Sequence, residues 1–427
     1  MKKIYLSGIG GIGMSALAQL LKSAGNIVSG SDRAESPVTK LLAEQGIPVI
    51  LEQKAENVPS DASLLVYSAA LPETHPERVR ARELGIPELS YFEMLGQVSL
   101  GKRTVAVSGT HGKTTTTGML AKILIDAGAS PSAVVGSIVS DFGSNYVLGT
   151  SDLFVVEACE YQRHFLNLTP EILVVTNLEF DHTDYFKNLE DVQNAFRTLL
   201  EKVPEHGAVV TDTAHPHIAP LLTGLSARII NYADEPEYEL MLPGAFNMMN
   251  ARAAASAARL AFPPLTEEHI CKSLKTFRGT WRRFEYKGKT REGAEVYDDY
   301  AHHPTAIRET LRALKEKRTK EGKEGKIIVA FHPHLYSRTR DLLDGFATAF
   351  ADADEVLIAP IFAAREEDDG SISNETVALR LQETGVHARA ISSLDEIEAL
   401  LKEAQIGDVI MTMGAGDIYK IADQLTV

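Results

Sequence analysis

A chain of 427 residues is too long for one hydrophobic core, so we expect about two to four domains. Hydrophobic residues make up 44% of the chain and charged residues 24%, which is typical of a globular protein that folds throughout its length. The formal net charge of −15 argues against generic binding to nucleic acid or to an anionic membrane surface.

The first predicted unit is a strand, a glycine loop and a helix. Ile4–Ser7 favours a short strand, and apolar residues recur at helical spacing from Met14 to Leu21. Between them, Gly8, Gly10 and Gly13 fit the G-x-G-x-x-G pattern, and a second strand ends at Asp32, as in a ribose-binding Rossmann unit. Tight packing of helix on strand without any ligand explains the glycines too. The candidate ligand-binding residues of this unit are Gly8, Gly10, Gly11, Ile12, Gly13, Asp32, and Ser68 and Ala69 at the end of a later strand.

A phosphate-binding loop opens the second unit. The β-rich run from Val105 breaks at Gly109 and restarts as a helix at Lys113 and Thr114. Glycines expose backbone N–H groups to an anion, Lys113 adds a point charge, and the Thr114 hydroxyl suits Mg²⁺. Val107 stands where a strict P-loop has glycine, so this is a shorter variant, and a plain glycine turn is the competing interpretation. The candidate loop residues are Gly109, Thr110, His111, Gly112, Lys113, Thr114 and Thr115.

Two further strands of this unit deliver polar side chains where they end. One strand ends at Glu157, and another runs into the Asp181-His182 pair. Parallel strands end at the same edge of a sheet, so Glu157 and His182 are expected beside the P-loop, where they and Thr114 can hold a metal. A buried structural carboxylate is the alternative for Glu157 alone. Arg163 and His164 suit an anionic substrate but are equally explained by a solvated turn.

The later part of the chain adds amides, cations and a third α/β unit. Asn247 and Asn250 precede an alanine-rich helix and fit either a helix cap or contacts to an adenine edge. Arg282 and Arg283 lie beside the single tryptophan, and arginine forks suit phosphate. Strands and helices then alternate again from Val296. We therefore expect an α/β protein with domains at 1–98, 99–295 and 296–427.

The cellular compartment is indicated by the absence of disulfide, signal-peptide and membrane-span patterns from the sequence. Its two cysteines, Cys159 and Cys271, argue against a disulfide framework, and no Cys/His spacing supports a zinc site. The first residues are basic and apolar, but glycines follow at once, so no signal peptide is expected. No apolar run reaches the roughly 18 residues of a membrane span. We expect a cytoplasmic protein.

In chain order, six motifs together resemble the Mur ligases. They are Gly-Ile-Gly-Gly-Ile-Gly, Ser-Gly-Thr-His-Gly-Lys-Thr-Thr, Glu-Ala-Cys-Glu-Tyr-Gln-Arg-His-Phe, Asp-His, Asp-Asp-Tyr-Ala-His-His-Pro-Thr and Met-Gly-Ala-Gly-Asp-Ile. The resemblance covers essentially the whole chain. It implies a Rossmann-like N-terminal domain for a UDP-sugar, a central P-loop ATPase domain with a largely parallel sheet, and a Rossmann-like C-terminal domain for nucleotide and amino acid.

The resemblance also implies the reaction and its participants. ATP and Mg²⁺ would activate the lactyl carboxylate of UDP-N-acetylmuramate as an acyl phosphate, and L-alanine would attack it to form an amide. The site would be built from Lys113 at the β- and γ-phosphates, Thr114 and Glu157 at one Mg²⁺, His182 at a second, and Arg283 at the γ-phosphate. Asn247 and Asn250 would contact adenine and Asp299 the ribose. The stretch from His332 to Arg338 would lie near the forming bond or the amino acid, and His302, His334 and Arg338 are the candidate substrate contacts there.

Two departures from the family pattern and two alternative functions accompany this expectation. Phe246 stands where relatives often have histidine, so the adenine contact would be partly stacking, and Cys159 stands where many have aspartate. A ligase that joins a preformed tripeptide to the same sugar nucleotide is the nearest alternative activity. A P-loop regulatory protein or GTPase would leave the first and third domains unexplained. A monomer and a homodimer both remain open.

Overall fold

The computed structural model describes residues 1–368 and 370–426 and arranges them around three β-sheets. Each sheet is mostly parallel and is covered by helices, so the expected α/β class is confirmed. Across those two ranges, no helix combines the length and the apolarity that a membrane span requires.

The first sheet has five parallel strands in the order β3-β2-β1-β4-β5. Its central strand β1 leads into the glycine loop, as the sequence predicts. The order reverses beside β1, and such a switch point opens a crevice at the carboxyl ends of the strands. The elements are β1 Lys3–Ser7, α1 Ile12–Ser23, β2 Ile27–Ser31, α2 Pro37–Glu44, β3 Val49–Ile50, β4 Leu64–Tyr67, α3 Pro76–Glu83, β5 Glu88–Ser90 and α4 Tyr91–Ser99.

The second sheet has seven strands in the order β12-β11-β10-β6-β9-β7-β8, and only the β7–β8 pair is antiparallel. The P-loop strand β6 lies between β9 and β10, which confirms that these two strands end beside the P-loop. The elements are β6 Arg103–Ser108, α5 Lys113–Asp126, β7 Ser132–Val139, β8 Ser144–Val147, β9 Leu153–Glu157, β10 Ile172–Val175, α6 Leu189–Leu200, β11 Ala208–Thr211, β12 Arg228–Asn231, α7 Ala245–Ala261 and α8 Glu267–Lys275.

The third sheet has six strands in the order β13-β14-β18-β15-β16-β17, with one antiparallel pair, β13–β14. Strand β13 begins at Glu285, ahead of the domain start that we expect at 296, and belongs to this sheet. The elements are β13 Glu285–Lys289, β14 Glu295–Asp299, α9 Pro304–Lys320, β15 Ile327–Phe331, α10 Tyr336–Asp341, α11 Leu343–Ala349, β16 Glu355–Ile358, α12 Asn374–Glu383, β17 Ala388–Ala390, α13 Leu394–Leu401, β18 Val409–Met413 and α14 Tyr419–Leu425.

Small side chains bring the P-loop helix close to the alanine-rich helix. Seven of the ten buried residues of α7 are alanines, and they share one hydrophobic cluster with α5 on one face of the second sheet. The start of α7 is also tied to the third unit, because Phe246 packs against the cluster that contains Ala313. This packing places the start of α7 between the P-loop and the third sheet.

Candidate active site

The P-loop has the geometry of an anion site at a helix N-terminus. Gly112 begins α5 with a φ of 81°, and no side chain caps the helix. A Cβ on Gly112 would lie 2.2 Å from Asn250 Oδ1, so this position requires glycine for its conformation and for space. The first N–H groups of α5 therefore remain available to a phosphate.

Lys113 lies within this loop and is held by three acceptors. Its ammonium donates to Gly109 O at 2.6 Å, Thr110 O at 3.1 Å and Glu160 Oε1 at 2.9 Å. Burial lowers the pKa of Lys113, but the nearby negative charges and the hydrogen bond to Glu160 together outweigh burial, and the net pKa is raised. The lysine therefore stays charged beside the helix N-terminus.

Thr114 and Glu157 form an oxygen pair that fits a hard cation. Thr114 Oγ1 donates to Glu157 Oε1 at 2.9 Å, and Gly136 N donates to Oε2 at 2.6 Å. A hydroxyl and a carboxylate at the start of a phosphate-binding helix are the donors that Mg²⁺ uses together with phosphate oxygens. The residues present therefore fit the metal that the sequence predicts.

His182 lies near this pair but contacts a different carboxylate. Its backbone is left-handed, with a φ of 55°, and its N–H donates to Asp181 Oδ1 at 2.7 Å. The ring Nε2 lies 3.4 Å from Glu160 Oε1, and within the described chain Nδ1 has no hydrogen-bond partner. A left-handed histidine is costly and is found where the surroundings fix it, which is common at functional sites.

The two neighbouring arginines have different surroundings. Arg282 is buried, donates to Asp298 Oδ2 at 2.8 Å and to the carbonyls of Gly414 and Gly416, and so joins the linker to the third sheet. Arg283 instead reaches the P-loop, with Nη2 3.5 Å from Thr114 Oγ1. Of the pair, Arg283 is the one that faces the phosphate site, in line with its predicted role.

The candidate nucleotide contacts lie on the α7 side of the loop, and each already has a partner. Asn247 Nδ2 donates to Pro243 O at 2.7 Å, and Asn250 Oδ1 accepts from Thr116 at 3.2 Å. Asp299 accepts from Phe284 N at 2.6 Å and from Ala301 N at 2.7 Å, and burial raises its pKa to about 6. The roles of these residues toward adenine and ribose stay predictions.

A cluster from the third unit faces the Asp-His pair. Arg338 Nε donates to Asp181 Oδ1 at 2.9 Å, and its Nη1 lies 2.9 Å from His334 Nδ1. The His302 ring lies 5.9 Å from that of His334, between centroids. Burial lowers the pKa of His334 to about 3, and it lowers the pKa of His302 too. The structure thus joins these three predicted residues to the segment that carries His182.

The glycine loop of the first unit is supported by residues of that unit and by the second sheet. Asp32 Oδ2 accepts from Gly10 N at 2.7 Å, which holds the loop closed at one end. A Cβ on Gly13 would lie 2.7 Å from Tyr91 Cζ, and Asn145 of the second sheet donates to Ile12 O at 3.0 Å. Ser68 lies next to the loop, since a Cβ added to Gly8 would lie 3.0 Å from the Cβ of Ser68. Of the remaining candidates, Gly11 caps the start of α1, Ile12 begins that helix, and Ala69 follows the end of β4.

Arg163 and His164 are not in a freely solvated turn. Gln162 and Arg163 have consecutive left-handed backbones, with φ of 50° and 59°. Arg163 pairs with Asp191 at 2.5 Å, and the His164 ring stacks on Phe92 of α4, with centroids 3.7 Å apart. His164 therefore lies at the contact between the first and second units.

Several contacts of this site were not anticipated from the sequence. Glu160, Glu179, Asn177 and Tyr91 all contact predicted site residues. Glu179 accepts from Thr305 at 2.8 Å, and its carboxylate, His111 and His303 have possible ligand atoms all within 4.8 Å of one another. His303 Nδ1 already accepts a hydrogen bond from Thr305 N. We therefore interpret this cluster as a set of hydrogen bonds that joins the P-loop to α9. In the sequence, Glu160 and Glu179 could have been identified from their positions shortly after strands β9 and β10.

Three family models match successive parts of the chain. The Mur ligase family catalytic domain matches residues 3–103, the Mur ligase middle domain matches 107–240, and the Mur ligase glutamate ligase domain matches 282–416. The matches follow the three sheets in order.

Whole-chain comparisons agree with these models. UDP-N-acetylmuramate–L-alanine ligase of Desulfitobacterium hafniense is 42% identical over 99% of this chain and 99% of its own. The protein of the same name from Agathobacter rectalis is 38% identical over 99% and 97%. Among solved structures, UDP-N-acetylmuramate–alanine ligase of Thermotoga maritima is 29% identical with a TM-score of 0.79, over 100% of this chain and 98% of its own. A murein peptide ligase of Psychrobacter arcticus is 25% identical with a TM-score of 0.71, again over 100% and 98%.

Proposed function

The chain belongs to the Mur ligase family, and we propose that it is the ATP-dependent ligase that adds L-alanine to the lactyl carboxylate of UDP-N-acetylmuramate. This reaction makes a precursor of peptidoglycan. The observation that carries the proposal is the meeting of three groups at one place. They are the P-loop with Lys113, the Thr114–Glu157 oxygen pair, and the His182 segment held by Arg338 of the third sheet.

The chemistry divides into two steps. First, an oxygen of the lactyl carboxylate attacks the γ-phosphorus of ATP, the bond to ADP breaks, and an acyl phosphate forms. The amine of L-alanine then attacks the acyl carbon, phosphate leaves, and the amine loses a proton as the amide forms. Such transfers depend chiefly on positioning and on neutralising phosphate charge.

Residues of this chain supply the positioning and the positive charge. The first N–H groups of α5 and the Lys113 ammonium face the β- and γ-phosphates, and Arg283 approaches from the linker. Mg²⁺ bound at Thr114 and Glu157 would neutralise phosphate charge, and His182 would contact a second ion. The nucleoside part of ATP would be bound by Asn247 and Asn250, which would contact adenine, and by Asp299, which would contact the ribose.

The two other substrates would bind to the two domains on either side of the P-loop domain in the chain. The UDP-sugar would bind the Gly8–Gly13 loop, with Asp32, Ser68 and Ala69 beside it, and its lactyl end would pass Arg163 and His164. L-Alanine would bind beside His302, His334 and Arg338. Since the pKa of His334 is held near 3, that imidazole is neutral at physiological pH and can accept or donate a hydrogen bond without charge.

We also propose a cytoplasmic location, because both ATP and a UDP-sugar are made there, and a monomer or homodimer as the working form. Domain bounds of 1–98, 99–295 and 296–427 are part of the proposal. Strand β13 adds the residues from Glu285 to the sheet of the last domain.

The test is release of phosphate from ATP by the purified protein in the presence of Mg²⁺, UDP-N-acetylmuramate and one amino acid. We expect release that depends on both the sugar nucleotide and L-alanine. A release supported by a tripeptide in place of L-alanine would favour a murein peptide ligase, to which the likeness with the Psychrobacter arcticus structure points. Hydrolysis indifferent to both, with GTP preferred over ATP, would favour a regulatory nucleotide-binding protein.

A further inference from the structure

The carboxylate of Glu160 lies at the centre of the site, yet none of the roles proposed above uses it. Only 3% of its surface is exposed. It follows the end of β9 and directly precedes the segment in which Gln162 and Arg163 are left-handed. A buried carboxylate at such a position is stable only if it is paired.

Two groups that the proposed function requires contact this carboxylate. Glu160 Oε1 lies 2.9 Å from Lys113 Nζ and 3.4 Å from His182 Nε2. Lys113 belongs to the phosphate side of the site, whereas His182 belongs to the segment that Arg338 joins to the third sheet. One carboxylate thus fixes the relative position of a cation at the start of α5 and an imidazole in the segment after β10.

Neither group has another contact of this kind within the described ranges. The three N–H bonds of Lys113 are all used, two by carbonyls of its own loop and one by Glu160, so only Glu160 ties the ammonium to a different strand. The His182 ring packs beside Tyr161, with centroids 4.9 Å apart, and its Nδ1 has no partner. The orientation of the ring therefore depends on its Nε2 contact.

Resting on the proposed function, we propose that Glu160 is a positioning residue that holds Lys113 and His182 in register for phosphoryl transfer. Its negative charge opposes the charge of a bound nucleotide, so Glu160 does not itself favour nucleotide binding. Replacing the carboxylate by an amide therefore loosens the relative position of Lys113 and His182 and also relieves that repulsion. Turnover and nucleotide affinity are expected to change in different ways.

The test compares Glu160→Gln, Glu160→Asp and the control Glu171→Gln. Glu171 forms an ion pair with Arg103 at the start of β6, at the end of the strand opposite to the P-loop. Calorimetric titration with ADP, and with a non-hydrolysable ATP analogue in the presence of Mg²⁺, measures affinity without turnover. Alanine-dependent phosphate release gives kcat and KM, and thermal unfolding reports the fold.

For Glu160→Gln we expect kcat to fall by about 100-fold, the loss typical of a misplaced catalytic group. Its dissociation constants for both nucleotides should be equal to or lower than those of the parent. Glu160→Asp, which keeps the charge on a shorter side chain, should recover part of kcat, and Glu171→Gln should match the parent.

Either of two results would overturn the positioning role. One is a kcat for Glu160→Gln within twofold of the parent. The other is weaker nucleotide binding by the same factor as kcat, accompanied by a lower unfolding temperature, which would mark Glu160 as a structural residue only. A parent protein without alanine-dependent phosphate release would instead overturn the proposed function, so the two failures are distinguishable.

Discussion

The buried pair of Lys113 and Glu160 shows that a phosphate-binding residue can also support the fold. The Lys113 side chain is 14% exposed and that of Glu160 is 3% exposed. Burial raises the pKa of Glu160, but Lys113 and His182 outweigh it and the net pKa is lowered. Removing either partner therefore changes stability as well as chemistry.

We predict that Lys113→Ala abolishes turnover and lowers the free energy of unfolding by about 3 kcal/mol, because Glu160 is left as an unpaired buried charge. The double variant Lys113→Ala/Glu160→Gln should recover most of that stability but none of the turnover. Urea unfolding of the parent, both single variants and the double variant measures the coupling.

The control for this cycle is an exposed ion pair at helix α2. Lys40 pairs with Glu35 at 3.0 Å, and the two side chains are 60% and 57% exposed, so Lys40→Ala should cost less than about 1 kcal/mol. Additive effects of the Lys113 and Glu160 substitutions would contradict the expected coupling between the two side chains.

At single residues, the sequence predicted the donors but not their partners. Lys113, Thr114 and Glu157 follow from a loop motif and a strand end, which are local features. Which of two adjacent arginines reaches the P-loop is not local. The left-handed backbone of Arg282, with a φ of 60°, turns its side chain to Asp298, and Arg283 is left to face Thr114.

Among the elements, the start of α5 depends on Gly112. Gly112 and Gly128 flank α5, and their φ angles are nearly equal, at 81° and 80°. They differ in surroundings, because a Cβ on Gly112 meets Asn250 whereas nothing lies within 4 Å of one on Gly128. Alanine substitutions at these two glycines therefore distinguish two destabilising effects. Both introduce a left-handed alanine, but only the one at Gly112 also introduces a steric clash at the site.

We predict that Gly112→Ala eliminates ADP binding, while Gly128→Ala binds ADP like the parent. Both variants should lose about 1–2 kcal/mol of stability from the left-handed alanine, and Gly112→Ala should lose more. Calorimetric titration with ADP and thermal unfolding of both variants are the measurements. Equal ADP affinity in the two variants would show that Gly112 does not shape the site.

The strand order of the second sheet could be predicted in part from the sequence. Alternating strands and helices indicate a parallel sheet, and the polar residues after β9 and β10 indicate that both flank β6. The antiparallel β8 and β13 lack such signals. Strand β13 is a short polar segment, and its pairing with β14 depends on the third sheet rather than on its own sequence.

Across the described chain, burial strongly lowers the pKa of five histidines, one in the second unit and four in the third. Burial lowers the pKa of His164, His303 and His332 to about 4 and of His334 to about 3, and it also holds the pKa of His302 well below its usual value. Four of the five come from the third sheet and its loops. Protonating them therefore disfavours the packing of that part of the chain.

The sign of the pH effect follows from comparing folded and unfolded chains. In the unfolded chain these histidines take up protons below a pKa of about 6.5, whereas the folded protein leaves them neutral until about pH 4. Stability is therefore complete above pH 6.5 and is lost as the pH falls from 6.5 to 4. Asp299 acts in the opposite sense, because its pKa is raised to about 6, but it is one group against five.

We predict that the free energy of unfolding falls steeply between pH 6.5 and pH 4, and that His332→Gln makes this fall shallower by about 1.4 kcal/mol per pH unit. His332 is the suitable position because it is buried and its Nδ1 has no partner in the described chain, so glutamine removes a titrating group without breaking a hydrogen bond at that atom. The exposed His206 provides the control, since His206→Gln should leave the slope unchanged. Urea unfolding at half-unit steps of pH measures all three slopes. An unchanged slope for His332→Gln would mean that burial of this imidazole contributes nothing to the loss of stability in acid.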